Sequence, residues 1–324
     1  MLKIIVIVVV FSTSQVFSQI VNNPCPRNQP VTAYHSKESK MFLFGGYCSI
    51  EKKRLNDFWV FDGETWKVIQ TDIAPEPRSG HSMIYDSFKN RLLVFGGKNE
   101  NGDILNDLWS WNGNKWKKLS ESGPIPRQSH RMVFNSDNGD LFLFGGSNAQ
   151  GLSLNDTWIF SNEIWIELKS KDVPPPRLQH TMAYDQQRKK VVLFGGFSKN
   201  GNDKFIYGDT WEWHIVKGWE ISNKNNQLAR DHHAMAYDVT SKRVILFGGY
   251  NQQYLGDTLS WNGEKWILIA NEGPSKRAGK PALMYSVIDE SLILFGGWDK
   301  SNKPLMDFWK FNPYSNHWDI YNKK

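Results

Sequence analysis

A pair of adjacent glycines closes an apolar run six times, at Gly45-Gly46, Gly96-Gly97, Gly145-Gly146, Gly195-Gly196, Gly248-Gly249 and Gly296-Gly297. Between second glycines the steps are 51, 49, 50, 53 and 48 residues. A period of this size, carried along the chain, restricts the fold to a repeat architecture in which each unit stacks on its neighbours. It also weakens the chemical reading of a glycine-rich run. A dinucleotide loop continues as G-x-G-x-x-G and a phosphate loop as G-x-x-x-x-G-K-[ST], and LFLFGGSN at 141–148 does neither. Glycine inside a strand costs roughly 0.5–1 kcal/mol relative to alanine. Twelve of them imply a shared steric need, the close approach of large aromatics or of neighbouring backbone.

The second repeat shows what one unit encodes. PRSGHSMIYD alternates polar and apolar residues, RLLVFGG is almost continuously apolar, LNDLWSWNG alternates and ends in the hairpin signal Asn-Gly, and KWKKL opens on Trp116. Four short antiparallel strands follow. A single such sheet leaves both faces apolar, so the copies must stack, and radial closure protects their edges. The expected fold is all-β, a β-propeller of six blades at about 26–74, 75–124, 125–174, 175–227, 228–274 and 275–324. CPRNQPVTAYHSKESKMFLFGG supplies the first two strands of blade one and FWKFNPYSNHWDI the last two of blade six, so the ring is expected to close by face packing alone.

These residues resemble Kelch repeats: paired glycines ending the second strand, a downstream aromatic, a fourth-strand tryptophan and an arginine before the next blade. The fourth-strand residue is Trp66, Trp116, Trp165, Trp219, Trp266 and Trp318. The third-strand residue is Trp59, Trp109, Trp158, Trp211 and Trp309, with Leu259 departing in blade five. The resemblance covers nearly all of 19–324 as a single domain. It implies a fold rather than a function.

The first residues, MLKIIVIVVVFSTSQVFSQ, place Lys3 before an apolar core and read as a secretory signal over 1–18. Release into the periplasm or medium is expected, since no lipobox precedes Cys25 and no anchor follows the last blade. The chain carries 15 Trp, 19 Phe and 11 Tyr, enough for a large core. Net charge is +6, but one arginine per repeat accounts for six of the positive groups and the rest are interspersed with acids. A nucleic-acid footprint needs basic residues gathered on one face, so a monomer that does not bind nucleic acid is expected.

His81, His130, His180 and His233 recur four residues before the aromatic that ends the first strand, with Pro30 and Pro281 in blades one and six. Strand parity puts them between blades, each bonded to neighbouring backbone, and the absence of H-E-x-x-H or Cys/His spacing argues against a metal. No cofactor motif is found. Arg27, Arg78, Arg127, Arg177, Arg230 and Arg277 open the blades. The Kelch resemblance puts their loop on the same face as the loop after the glycines, a face that often holds the ligand. The alternative is hydrogen bonding to backbone carbonyls at each junction, with Asp57, Asp107, Asp156, Asp209, Asp257 and Asp307 as ion-pair partners.

Function is sought where the repeats differ. The residue after the glycine pair is Tyr47, Lys98, Ser147, Phe197, Tyr250 and Trp298 in turn, so its aromatics fall in blades four, five, six and one, which form one arc of the ring. With Arg27, Arg230 and Arg277 these aromatics are the candidate ligand residues, on a surface suited to a protein, peptide or glycan. The bland reading folds each ring back onto its own blade. Blade four has a longer loop, FSKNGNDKFIYGDTW, and blade five has ARDHH, where Asp231 and His232 form a candidate acid/base dyad.

Two functions compete: a secreted interaction module, and a sugar-modifying enzyme of the sialic-acid mutarotase kind that the Kelch architecture also includes. The oxidase chemistry known on this architecture needs a copper site with a Tyr-Cys cross-link, and the E-x-x-x-D-x-x-x-H iron pattern is absent here. Cys25 and Cys48 are instead expected to be bridged. A hairpin turning near Lys37-Glu38 pairs residues whose numbers sum to about 75, and the cysteine numbers sum to 73.

Overall fold

The computed structural model describes residues 23–28, 31–201, 203–301 and 303–321. The leader at 1–18 and Pro30 lie outside the described residues. Every regular element described is a strand, and the strands form six blades of four around an axis. Blade one is Val31–His35, Lys40–Cys48, Lys53–Phe61 and Trp66–Val68, and blade two is Ser82–Asp86, Arg91–Asn99, Ile104–Trp111 and Trp116–Ser120. Blade three is Arg131–Phe134, Leu141–Ser147, Ser153–Ser161 and Ile164–Leu168, and blade four is Thr181–Asp185, Lys190–Phe194, Thr210–His214 and Gly218–Asn223. Blade five is Ala234–Asp238, Arg243–Asn251, Gln253–Trp261 and Trp266–Ala270, and blade six is Ala282–Ser286, Ser291–Phe295, Phe308–Asn312 and His317–Ile320. All pairs are antiparallel, and the first strands neighbour one another around the axis from blade one through blade six and back.

The core is divided among the seams. Six apolar clusters lie one at each interface between neighbouring blades, built on second strands such as Leu92–Phe95 and Val244–Phe247, which have almost no exposed surface. Each fourth-strand tryptophan reaches back to the third strand of the preceding blade. At three seams the reach ends in a hydrogen bond, from the indole Nε1 of Trp219, Trp266 and Trp318 to the Oγ1 of Thr157, Thr210 and Thr258, at 2.9, 3.0 and 2.8 Å. The threonine directly follows the repeated aspartate. Where Phe58, Leu108 or Phe308 stands there, the seam is apolar, as in the packing of Trp116 on Phe58 at 5.1 Å.

The glycine pair forms a β-bulge, with a register shift just after Phe44, Phe95, Phe144 and Phe247. Both glycines take positive φ, +63° at Gly96 and +104° at Gly97. A Cβ on Gly96 would lie 2.7 Å from the Arg127 carbonyl oxygen of the next blade. One on Gly97 would lie 2.9 Å from the Ser79 oxygen of its own blade. The steric need is therefore the approach of backbone from both sides, together with the His130 ring at 3.2 Å. Gly97 N–H donates to that same Arg127 carbonyl at 2.9 Å, so the bulge also stitches blade to blade.

No strand is shared across the chain ends among the described residues, as the sequence predicts. The fourth strand of blade six is His317–Ile320, while Arg27–Asn28 pairs with the second strand of blade one. Closure between blades six and one rests on aromatic packing, with Phe61 stacked on Phe308 at 4.4 Å and Trp66 against Phe295 at 5.5 Å, and on a hydrogen bond between Tyr34 and Ser286 at 3.1 Å.

Beside that seam Cys25 and Cys48 are disulfide-bonded, their Cα atoms 6.0 Å apart. The pairing of Val31 with Phe44 and Arg27 with Cys48 realises the sum of 75 from which the bridge was expected. Reduction, or a Cys25→Ala change, should lower stability by about 3 kcal/mol, the chain-entropy value for a loop of this size. Denaturant unfolding with and without reductant measures it. A non-reduced digest should yield one peptide linking the two residues, and two alkylatable thiols in the native protein would contradict the bridge.

Candidate functional site

The repeated arginine builds the loop face. Arg78 Nη1 and Nη2 donate to Asp107 at 2.7 and 2.9 Å, Nη1 also reaches the Gly96 carbonyl at 3.0 Å, and Nε reaches the Glu76 carbonyl at 3.1 Å. The same fork, with its own aspartate and glycine, is made by Arg27, Arg127, Arg177, Arg230 and Arg277. In every blade but the fifth, where Leu259 replaces the tryptophan, the aspartate also accepts the indole N–H two residues on. For Asp107, Asp156 and Asp307, burial alone would raise the carboxyl pKa. The paired guanidinium and indole outweigh burial and hold each below the usual carboxylate range. The structure places the candidate ligand residues Arg27, Arg230 and Arg277 inside this clasp, buried and bonded on every guanidinium nitrogen.

The residue after each arginine pairs with the residue after each glycine pair. Asn28 faces Tyr47, Leu178 faces Phe197, Asp231 faces Tyr250 and Ala278 faces Trp298. The aromatic positions are thus held in equivalent places around the loop face. Their environments differ. Tyr47, Tyr250 and Trp298 are half-buried, and Trp298 leans on its own blade, where a Cβ on Gly279 would meet its ring at 2.7 Å. Phe197 is not on the surface at all: only 7% of it is exposed.

The cause is the longer loop of blade four, which folds as a hairpin, Phe197–Asn200 against Asp203–Ile206. Its Lys204 Nζ sits over the Phe197 ring at 4.2 Å and within 5.7 Å of the Tyr250 ring centre, and it ion-pairs with Asp231. Phe205 at the same turn is 56% exposed, and Tyr207 packs on Arg177 at 4.1 Å. Asp231 is wholly buried and its Oδ1 lies 2.5 Å from His232 Nδ1, so the candidate dyad is brought together. Burial would raise the Asp231 pKa, but His232 and Lys204 more than offset it and keep the carboxyl ionised. Blades four and five therefore share a charged and aromatic cluster that a loop reading of FSKNGNDKFIYG does not reveal.

A second feature escapes the sequence. Gly80, Ser129, Gln179, His232 and Lys280 all have positive φ, from 54° to 70°, and are joined in a backbone chain around the axis. Ser129 N–H donates to Gly80, Gln179 to Ser129, His232 to Gln179 and Lys280 to His232, at 2.7, 3.1, 3.2 and 3.3 Å. This chain caps the loop-face end of the central channel.

The histidines lie between blades, but their expected backbone hydrogen bonds are not made. His81, His130 and His180 have no protein hydrogen bond of good geometry, and His233 Nε2 meets the Thr181 hydroxyl at 2.5 Å. Each ring is held by packing, edge-on to the phenylalanine that precedes the glycine pair of the preceding blade, as in Phe95 and His130 at 5.4 Å. Burial, reinforced by the neighbouring arginine, pushes all four pKa values well below the usual range. Among the described residues the His, Cys, Asp and Glu groups close enough to share an ion reduce to Cys25, Cys48 and Glu51, and the two sulfurs there are bonded to each other.

A groove of about 1170 Å³ runs along the seam of blades six and one, lined by Pro24, Ile50, Trp59, Phe61 and Tyr321 among others. Elsewhere the loop leaving a fourth strand covers the next blade's tryptophan. Gly123 lies so close to Trp165 that a Cβ would fall 2.4 Å from the ring, and Gly273 treats Trp318 similarly at 2.6 Å. Among the described residues no such loop joins blade six to blade one, and the groove lies where it would run.

These repeats match known proteins. The KLHDC2/KLHL20/DRC7 Kelch-repeats domain model matches residues 5–112 and 65–218. An F-box/kelch-repeat protein of Arabidopsis thaliana is 32% identical over 93 residues, covering 26% of this chain and 19% of that protein. Dynein regulatory complex subunit 7 of Chlamydomonas reinhardtii is 34% identical over 93 residues, 26% of this chain and 8% of that protein. The matched stretch thus spans less than a fifth of either relative. Among solved structures, that of YjhT superposes with a TM-score of 0.72 at 15% identity, over 93% of this chain and 99% of the other, a likeness of fold. With six blades of paired glycines, clasped arginines and fourth-strand tryptophans, and a family match over more than half its length, the chain belongs to the Kelch-repeat domain family.

Proposed function

We propose that this chain is an exported interaction module that binds a protein, peptide or glycan on its loop face, across blades four, five, six and one. The observation that carries this reading is the grouping of half-buried Tyr47, Tyr250 and Trp298 with exposed Phe205 and the Lys204–Asp231–His232 cluster on one face. Aromatic surface edged by paired charge is the composition of recognition patches. Dynein regulatory complex subunit 7 is by name a subunit of a larger assembly, which supports an interaction role for the shared repeats. Export is supported by the leader pattern at 1–18 and by the Cys25–Cys48 geometry. The reading includes a monomer with no cofactor.

One observation favours a second reading, a sugar-modifying enzyme: Asp231 and His232 stand 2.5 Å apart beside an aromatic surface. One experiment separates the two. Wild type, Tyr250→Ala and Trp298→Ala are screened on peptide and glycan arrays, alongside a sugar mutarotation assay. The binding reading expects a ligand in one array whose affinity falls at least tenfold in both variants. Both should keep folding stability within about 2 kcal/mol of wild type, as is usual for partly exposed sites. Undiminished binding in both variants would remove the loop face from recognition. Mutarotation lost in Asp231→Asn would establish the enzyme instead.

A further inference from the structure

Beneath the backbone cap, the central channel contains two cations that the loop-face reading does not use. Lys280 of blade six is 4% exposed, and its Nζ is buried without a hydrogen-bond partner. Arg131 of blade three, on the opposite side of the ring, donates through Nε to the His180 carbonyl at 3.0 Å. Both side chains line one cavity of about 150 Å³, together with Thr32, Ser82, Thr181 and the methionines of the first strands. No aspartate or glutamate lines it. A guanidinium stays charged in a protein, and an ammonium removed from water is costly unless paired. The ordinary outcome for such a pair is either a counter-ion or the loss of the lysine's proton. The cavity has room for a small ion together with water, since a single water occupies about 30 Å³.

We propose that the axial channel is a binding site for one small anion, a carboxylate or an inorganic ion, held between Lys280 Nζ and the Arg131 guanidinium. Burial and the Arg131 charge both drive the Lys280 pKa well down, and no carboxylate opposes them. Burial likewise pushes Arg131 down to about 10. A bound anion reverses both effects, which is the energetic reason for the site. The backbone chain from Gly80 to Lys280 caps the loop-face end. The other end widens into a space of about 340 Å³ that shares Thr32, Met83, Met132, Met182 and Met235 with the cavity and is flanked by Tyr34, Tyr85, Tyr184 and Tyr237. The ion therefore enters from the face opposite the loops, independently of anything bound there.

The test is thermal unfolding of the full chain at constant ionic strength, with sodium gluconate, the bulkiest anion of the set, replaced stepwise by chloride, acetate or phosphate. The melting point should rise with at least one of these, first steeply and then with the logarithm of its concentration, as for a ligand of the folded state alone. Lys280→Met and Arg131→Gln should each abolish the rise, and in gluconate alone Lys280→Met should melt no lower than wild type. A response to chloride alone identifies a halide and a response to acetate a carboxylate; both support the site. A wild type indifferent to all three, or a rise kept undiminished in both variants, overturns it. Should Lys280→Met fail to fold, Arg131→Gln decides, together with the anomalous signal of bromide in crystals of the wild type. A bromide peak between the two side chains supports the site, and its absence from the channel in a bromide-responsive protein overturns it.

Discussion

Between pH 7.5 and pH 5.5 the protein is expected to lose on the order of 5 kcal/mol of folding stability from His81, His130, His180 and His233 alone. All four are buried, and burial holds their pKa values well below the ordinary range, so the folded protein keeps them neutral. The unfolded chain takes up a proton on each near pH 6.5. Below that value the unfolded state binds more protons than the folded one, so stability falls as pH falls, by about 1.4 kcal/mol per histidine over this range. The sign is opposite to that of a histidine paired with an acid, which would gain stability on acidification. Urea midpoints at the two pH values measure the loss. A His130→Phe variant that folds should lose about a quarter less. A flat profile from pH 7.5 to 5.5 would mean that the imidazoles protonate in place. At lower pH, Asp107, Asp156 and Asp307 add to the loss. Their folded pKa values are depressed, so the stability they contribute is full above the unfolded carboxylate pKa and disappears as pH falls through the folded values.

Arg78→Ala is expected to cost about 3–5 kcal/mol, the range for breaking a buried ion pair from one side. The Arg78 side chain is 0% exposed and that of Asp107 11%, so truncation leaves a carboxylate buried with only the Trp109 indole N–H to bind it. It also orphans the Gly96 carbonyl at the bulge. Arg277→Ala should cost distinctly less, because Asp307 is 39% exposed and water replaces the lost partner. Arg78→Lys should recover less than half of the loss, since an ammonium cannot reproduce the two-pronged contact with carboxylate. Chemical denaturation of the three variants gives the ranking. Equal losses at Arg78 and Arg277, or a loss below about 1 kcal/mol at Arg78, would show that the clasp does not depend on burial.

The ring of six was legible because its determinants are local and repeated. Paired glycines, an arginine some eighteen residues before them and a tryptophan some twenty residues after them appear in nearly every copy, and each has one structural role. Leu259 shows the same logic in reverse: where the tryptophan is missing, the aspartate lacks its indole donor and the fork with Arg230 persists. What escaped depends on contacts between copies. Lys280 escaped notice, because nothing nearby in sequence says that its position faces the channel. The left-handed turn there is occupied in turn by Gly80, Ser129, Gln179, His232 and Lys280, so no residue type marks it. Phe197 read as exposed because FSKNGNDKFIYG scores as loop, and its cover comes from Lys204, seven residues later. The histidines were placed correctly by strand parity, yet their partners were not. Parity fixes the face of a strand, but the neighbour met there, a phenylalanine edge rather than a carbonyl, belongs to another blade.

Because no strand is borrowed across the ends among the described residues, the unit copied in the sequence is also the unit that folds. A propeller whose last sheet is completed from the other terminus splits one copy into two fragments, and a duplication event must then preserve both. Here each copy brings its own four strands and its own arginine fork, and blades three to six each also bring a carbonyl for the bulge of the copy before. Gaining or losing one copy would change ring size without leaving a half-built sheet. Substitutions can accumulate in one blade without disturbing the sheet of another, which is how blade four could lengthen its hairpin while the clasp of Arg177 and Asp209 stayed intact.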